Sequence, residues 1–272
     1  MQLPFLSRLR PAPLVSIVRL QGAIGIPARH GAAGLSDAGL APVLARAFRQ
    51  GRPVAVAIAL NSPGGSPVQS SLIAARVRRL AEETHLPVHV FVEDVAASGG
   101  YWLATAGDVI WADESSVLGS IGVISAGFGF AELIRRHGIE RRVHSAGAAK
   151  SWLDPFRPET PEDVARLHRL LAPIHESFKA QVVARRGDRL PPGQDLFTGE
   201  VWTGRQAVAL GLADGIGHLE PTMRGLFGER LRFRSYGQRV PFLRRFGLSA
   251  ADLVDAAADR AAASRLTPQA WM

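Results

Sequence analysis

Cysteine is absent from this 272-residue chain. That excludes disulfides, thiolate metal sites and a cysteine nucleophile, so any nucleophile is an oxygen or an amine. Lysine is nearly absent as well: Lys150 and Lys179 are the only two among 32 Lys and Arg residues. Arginine stays protonated in a protein, so a general base here is lysine, histidine or a carboxylate. No histidine occurs between His89 and His137. Long apolar runs are missing too. Proline or arginine interrupts every apolar stretch of the first twenty residues, which leaves no secretory h-region. Nothing approaches the roughly 18 to 20 apolar residues of a spanning helix. The expectation is a soluble or peripheral protein, cytoplasmic or on the inner face of a membrane.

A hydrophobic content of 47% supports a full core. The net charge of +8 is spread along the chain in arginine pairs such as Arg135-Arg136, Arg141-Arg142, Arg185-Arg186 and Arg244-Arg245. No nucleic-acid motif accompanies them, and solvated helix faces account for most.

Short β-branched runs alternate with helical patterns. Strands are expected at Leu14 to Leu20, Val54 to Leu60, Pro87 to Val92, Val109 to Trp111 and Ile139 to His144, which together read as a parallel α/β sheet. Helices are expected over 37–50, over 67–83 behind Ser66-Pro67, and over 160–186 with Leu167, Leu170, Leu171, Ile174 and Phe178 on one face. A short one follows at Thr203 to Gly211. Residues 1–12 read as an N-terminal arm, 13–236 as the main domain, and 237–272 as a basic, alanine-rich helical tail.

Three segments carry chemistry. Asn61-Ser62-Pro63-Gly64-Gly65-Ser66 joins an apolar strand to a helix start. Its glycines let backbone N–H groups approach a developing oxyanion, although the same residues also make a sound turn. Ala96-Ala97-Ser98-Gly99-Gly100 follows another strand. It would set the Ser98 hydroxyl at a helix N-terminus on a tight turn, at the carboxyl edge of a parallel sheet where such folds bind ligands. Alone, Ser98 reads equally as a helix cap. Third, Lys150 stands among alanines beside Trp152. A lysine acts as a base where an apolar or cationic surround favours its neutral form.

Together these segments resemble the signal peptide peptidase A family of Ser-Lys serine peptidases, over about residues 14–235. The match includes Ala97-Ser98-Gly99-Gly100-Tyr101, Gly119-Ser120-Ile121-Gly122-Val123, Lys150 to Pro158, and Phe197 to Gly204. The resemblance implies a crotonase/caseinolytic-protease-like superhelix of stacked βαβ units, with a mostly parallel sheet and a peripheral C-terminal helical arm. It implies a serine endopeptidase with Ser98 as nucleophile, Lys150 as general base, and Gly65 and Gly99 as oxyanion donors. Ser120 would hold the lysine amine. No metal or organic cofactor is implied. Base and nucleophile can come from neighbouring protomers in this family, so a homo-oligomer acting on peptides is expected. Family members commonly begin with a membrane anchor, and this sequence shows none.

Two other readings compete. A crotonase-type acyl-CoA enzyme would need carboxylates near Ser98, and Glu93 and Asp94 are the nearby candidates. A catalytically silent scaffold would keep the fold and use Arg239 to Leu248 as an interfacial helix. The apolar surround of Tyr101, Trp102 and Leu118 points to small or apolar substrate side chains.

Overall fold

The computed structural model describes residues 12–25, 34–147 and 149–237. The expected arms, 1–12 and 237–272, lie outside the described residues except for Ala12 and Gly237. A mixed α/β domain forms around an eight-stranded, mostly parallel sheet. In chain order, β1 (Leu14–Gln21), α1 (Asp37–Arg49), β2 (Ala55–Ser62), α2 (Pro67–Thr84) and β3 (Val88–Ala97) make two successive βαβ units. There follow α3 (Gly99–Ala104), β4 (Val109–Ala112), β5 (Val117–Gly119), α4 (Ala131–Arg136) and α5 (Pro161–Arg186). The domain closes with β6 (Val201–Thr203), α6 (Gly204–Ala209), β7 (Gly215–Ile216), α7 (Leu219–Phe227) and β8 (Arg232–Tyr236).

The main path of the sheet is β6-β5-β3-β2-β1-β8, with β4 also on β3 and β7 on β4. Every pairing is parallel except β5 with β6. β3 serves two neighbours in turn. His89 to Val92 pair with β4, and Val95 to Ala97 pair with β5. The register against β2 slips in between, from Leu60↔Val92 to Ser62↔Ala96. Such a bulge bends a strand and re-aims its end.

Helix formation follows local rules. Ser36 caps α1 by accepting from the Gly39 N–H, with Asp37 in the first turn and Arg46 and Arg49 in the last, each complementing the helix dipole. Its buried stripe of Leu40, Val43, Leu44, Ala47 and Phe48 meets the sheet beside Ile73, Val77 and Leu80 of α2. Burial of each larger side chain in that stripe contributes roughly 1.5–3 kcal/mol. On the opposite sheet face, Met223 of α7 and Leu231 cover Val15, Ile17, Ala55, Ala57 and Phe91.

A buried polar clamp ties α5 to the sheet. The Arg186 guanidinium, 2% exposed, donates to the Gly211 carbonyl at 2.6 and 2.8 Å and to the Asp214 carboxylate at 2.8 and 3.0 Å. Asp214 in turn accepts from the Ile110 N–H of β4 at 2.7 Å.

One expected strand does not form. Ile139 to His144 forms no strand pairing and is exposed, Ile139 at 60%. Its β-branched residues lie in an arm, residues 124–160, in which no described residue is buried. A β-branched run without a neighbouring edge has no ladder to join. The apolar stripe of α5 is also less buried than its spacing implies: Phe178 and Val182 reach the core, while Leu170 is 54% exposed.

Candidate active site

Both loops expected to carry chemistry emerge at the carboxyl ends of adjacent strands. The end of β2 turns through Pro63 to Ser66 into α2, whose first turn Ser66 caps and Pro67 opens. The segment Gly22 to Gly25 clasps this turn as a short parallel bridge. Ile24 N–H donates to the Gly64 carbonyl, and Ser66 N–H donates to the Ile24 carbonyl, each at 2.9 Å. Successive residues of a ladder face opposite ways, so the Gly65 N–H points away from Ile24. Gly65 has φ +142°, and a Cβ there would overlap the Ile24 carbonyl oxygen, so only glycine fits.

Ser98 sits on the turn from β3 into α3 with φ 51° and ψ −125°. A non-glycine residue held at positive φ costs about 1–3 kcal/mol, and such strain concentrates at functional sites. Its N–H donates to the Gly119 carbonyl at 2.8 Å, and its own carbonyl accepts from Tyr101 and Trp102 at 2.9 and 3.1 Å. Below the turn, the buried Tyr101 hydroxyl donates to the Leu212 carbonyl at 2.9 Å. Burial pushes that phenol's pKa up, so it remains a protonated strut.

Gly99 is the first residue of α3, so its N–H has no acceptor within the helix. Neither it nor the Gly65 N–H meets a protein acceptor among the described residues. The two residues lie close together: the Gly65 nitrogen is 3.4 Å from where a Cβ on Gly99 would stand. Ser120 continues the strand beside Ser98, since Ala97 pairs with Gly119. It too has φ 51°, and its N–H donates to the Glu200 carbonyl at 2.6 Å.

Ser98, Gly65, Gly99 and Ser120 therefore line one cleft of about 410 Å³. Its walls are apolar: Pro63, Pro67, Trp102, Val123, Ile124, Ile174 and Phe178. Trp102 stacks on Phe178 with ring centroids 5.0 Å apart. Of the residues expected to colour the pocket, Trp102 alone lines it; Tyr101 and Leu118 are fully buried behind. The α5 wall and the Val123-Ile124 wall went unnoticed in the sequence. They come from segments brought to the site only by tertiary packing.

Lys150 is not in this cleft. It is exposed on a turn of the arm, its N–H donating to the Gly147 carbonyl at 3.1 Å. The arm has an order of its own. Phe130 lies between Phe128 and Phe156, Arg141 covers Phe156 and reaches Asp154, and Phe130 N–H donates to the Pro155 carbonyl at 2.6 Å.

The carboxylates an acyl-CoA enzyme would need lie elsewhere. Glu93 pairs with Arg19 at 2.7 Å, and Asp94 accepts from the Asn61 side-chain amide at 2.5 Å. Both line a separate cleft of about 420 Å³ with Asp113, Ser115 and His218.

A model of peptidase family S49 matches residues 81–226, which take in Ser98, Ser120 and Lys150. The chain belongs to peptidase family S49, the family of signal peptide peptidase A. Relatives of this S49 chain include a Brucella abortus protein named Na(+)/H(+) antiporter NhaA, 50% identical over 220 residues that cover 81% of this chain and 30% of that protein. The chloroplastic serine protease SPPA of Arabidopsis thaliana is 31% identical over 75% of this chain and 29% of its own length. Protease 4 of Haemophilus influenzae is 30% identical over 65% of this chain and 29% of its own. The S49 chain thus spans under a third of each of these relatives, and the transport named for the Brucella protein is said of that protein alone. No described helix of the S49 chain is long and apolar enough to cross a membrane.

Proposed function

We propose that this S49 chain is a serine endopeptidase of the Ser-Lys type, on the crotonase/caseinolytic-protease-like superhelix, with Ser98 as nucleophile and Lys150 as general base. The observation that carries the reading is the strained Ser98 turn beside two amides without acceptors, Gly65 and Gly99, in one apolar cleft. Neutral Lys150 takes the Ser98 hydroxyl proton as the oxygen bonds to a peptide carbonyl carbon. The oxyanion accepts from Gly65 and Gly99. Its collapse breaks the C–N bond, and the lysine proton leaves with the amine. Water then attacks the acyl-enzyme, giving a proton to Lys150 that returns to Ser98 as the acid departs.

Because Lys150 is exposed on an arm outside its own chain's cleft, this mechanism draws the lysine from a neighbouring copy in a homo-oligomer. The exposed Ile124, Phe128 and Leu133 of the arm give such a contact apolar area to bury. Ser120, which lines the cleft, is assigned to hold the arriving amine. The apolar walls favour peptides with apolar side chains, including membrane-derived ones, handled in the cytoplasm or at the membrane face.

The test is labelling with an active-site-directed fluorophosphonate across a pH series, for wild type, Ser98→Ala and Lys150→Ala. Labelling at Ser98 that strengthens with pH and is lost in both variants supports the mechanism. An oligomeric, folded wild type that takes no label supports instead the silent scaffold, the reading that the position of Lys150 in a single chain also favours.

A further inference from the structure

The oxyanion loop is built from backbone, yet one side chain holds it. Ser62, the last residue of β2, is fully buried. Its hydroxyl donates to the Gly22 carbonyl at 2.7 Å and accepts from the Gly64 N–H at 3.2 Å. Gly22 N–H in turn donates to the Asn61 carbonyl at 2.9 Å, and the Gly64 carbonyl accepts from Ile24. The Gly64 residue is therefore tied at both its N–H and its carbonyl, and the peptide that follows it ends in the Gly65 amide. Ser62 also touches the other half of the site: its carbonyl oxygen lies where a Cβ on Gly100 would have to stand, beside the helix that starts from Ser98.

We infer that Ser62 is a positioning residue for the reaction: through its hydroxyl bridge from Gly64 to Gly22 it fixes the direction of the Gly65 oxyanion donor relative to Ser98. It touches neither substrate nor nucleophile. A turn of this kind would form without it, since the glycines and the Ile24 clasp remain. What would be lost is the aim of the Gly65 amide, and a donor misdirected by about an ångström loses much of its value in the transition state and little in the ground state. Removing the hydroxyl also leaves the buried Gly64 N–H without an acceptor and frees the Gly22 C=O, which solvent can reach, so the Gly64 peptide has an incentive to rotate towards a new partner.

The inference rests on the hydrolase reading of Ser98, and the experiment separates the two. Fluorophosphonate inactivation is measured as kinact and KI for wild type, Ser62→Ala and Ser62→Thr, with a thermal melt of each. Ser62→Ala is expected to lower kinact about 10- to 100-fold, less than outright removal of a donor. KI stays within about twofold, and the full complement of sites is still labelled at long times. Ser62→Thr, which keeps the hydroxyl, recovers most of the rate. A purely structural role would reduce the fraction of protein labelled and leave its rate alone. If Ser62→Ala does not fold at the assay temperature, Ser62→Cys, similar in volume but a weak donor, takes its place with a smaller drop in kinact expected. A labelled wild type and a hydroxyl-free variant with unchanged kinact overturn this inference alone. An unlabelled wild type, or a labelled Ser98→Ala, sinks the hydrolase reading beneath it.

Discussion

Gly65→Ala tests whether the oxyanion geometry is the one described. Gly65 has φ +142°, where an L-residue is strained by about 1–3 kcal/mol. The new methyl would overlap the Ile24 carbonyl oxygen and stand 2.9 and 3.0 Å from the Ile24 nitrogen and carbonyl carbon. Those are backbone atoms on a fully buried residue, so they cannot swing aside, and overpacking of this kind costs about another 1–3 kcal/mol. The loop has two ways out. It can keep its shape and lose stability, or it can break the Ile24 to Gly64 and Ser66 to Ile24 hydrogen bonds and turn. The second route carries the Gly65 N–H away from Ser98. Loss of one oxyanion donor raises a barrier by about 2.7–4 kcal/mol, a 10²- to 10³-fold drop in rate. The expected outcome is a fall in fluorophosphonate kinact of about 100-fold, in protein whose melting temperature drops about 2–4 °C per kcal/mol of retained strain. Folded Gly65→Ala that reacts at the wild-type rate would refute the assignment of Gly65 as a donor.

Co-refolding Ser98→Ala with Lys150→Ala subunits in equal amounts should restore labelling to about one quarter of wild type. In a randomly mixed ring of identical contacts, about a quarter of sites join an intact serine to an intact neighbouring lysine; no recovery in verified mixed oligomers would place both groups in one chain. His89 is buried against Phe227 and accepts from the Trp111 indole at 3.4 Å, and burial lowers its pKa despite the opposing pull of Asp108. The unfolded chain then binds the proton more readily, so the stability linked to this group is intact above about pH 6.5 and is lost as pH falls from there towards the lower folded value. Melting temperature should decline over that window, and His89→Phe should flatten the decline. Arg186→Met leaves the Gly211 carbonyl without its guanidinium and the Asp214 carboxylate with Arg189 as its remaining cation. Breaking a fully buried pair costs about 3–5 kcal/mol; with Asp214 part-exposed and still paired to Arg189 the loss falls towards the lower end, so calorimetry should show a clear drop in melting temperature, and a shift within error would mean the clamp is idle.

The strands that flank the site were legible because they are long, β-branched and punctuated by turn residues: β1, β2 and β4 start and stop within two residues of their apolar runs. β3 runs on to Ala97, past the acidic pair Glu93-Asp94, because its bulge lets it change partners from β4 to β5. That exchange has no local signature. β5, β6 and β7 are two or three residues long, and only their neighbours make them strands. Ile139 to His144 shows the converse, a strand-like composition with no edge to join. In the site, the glycine loops were readable from residue type alone, since few side chains tolerate those turns. The walls supplied by Ile174, Phe178 and Val123 were not, because they arrive from far along the chain. Lys150 stood out by its rarity, but its residue type carries no information on which chain it serves.

No described residue in the arm of residues 124–160 is buried as a whole, although the Asp154 carboxylate is enclosed, and the arm carries one of the two lysines in the sequence. Under the proposed mechanism, the same feature makes hydrolytic power a property of crowding. A dilute copy would hold a formed cleft with no base in it, and its specific activity would climb with total protein in the manner of any mass-action assembly. Dispersed copies would spare the peptides around them, and cutting would begin where enough copies gather.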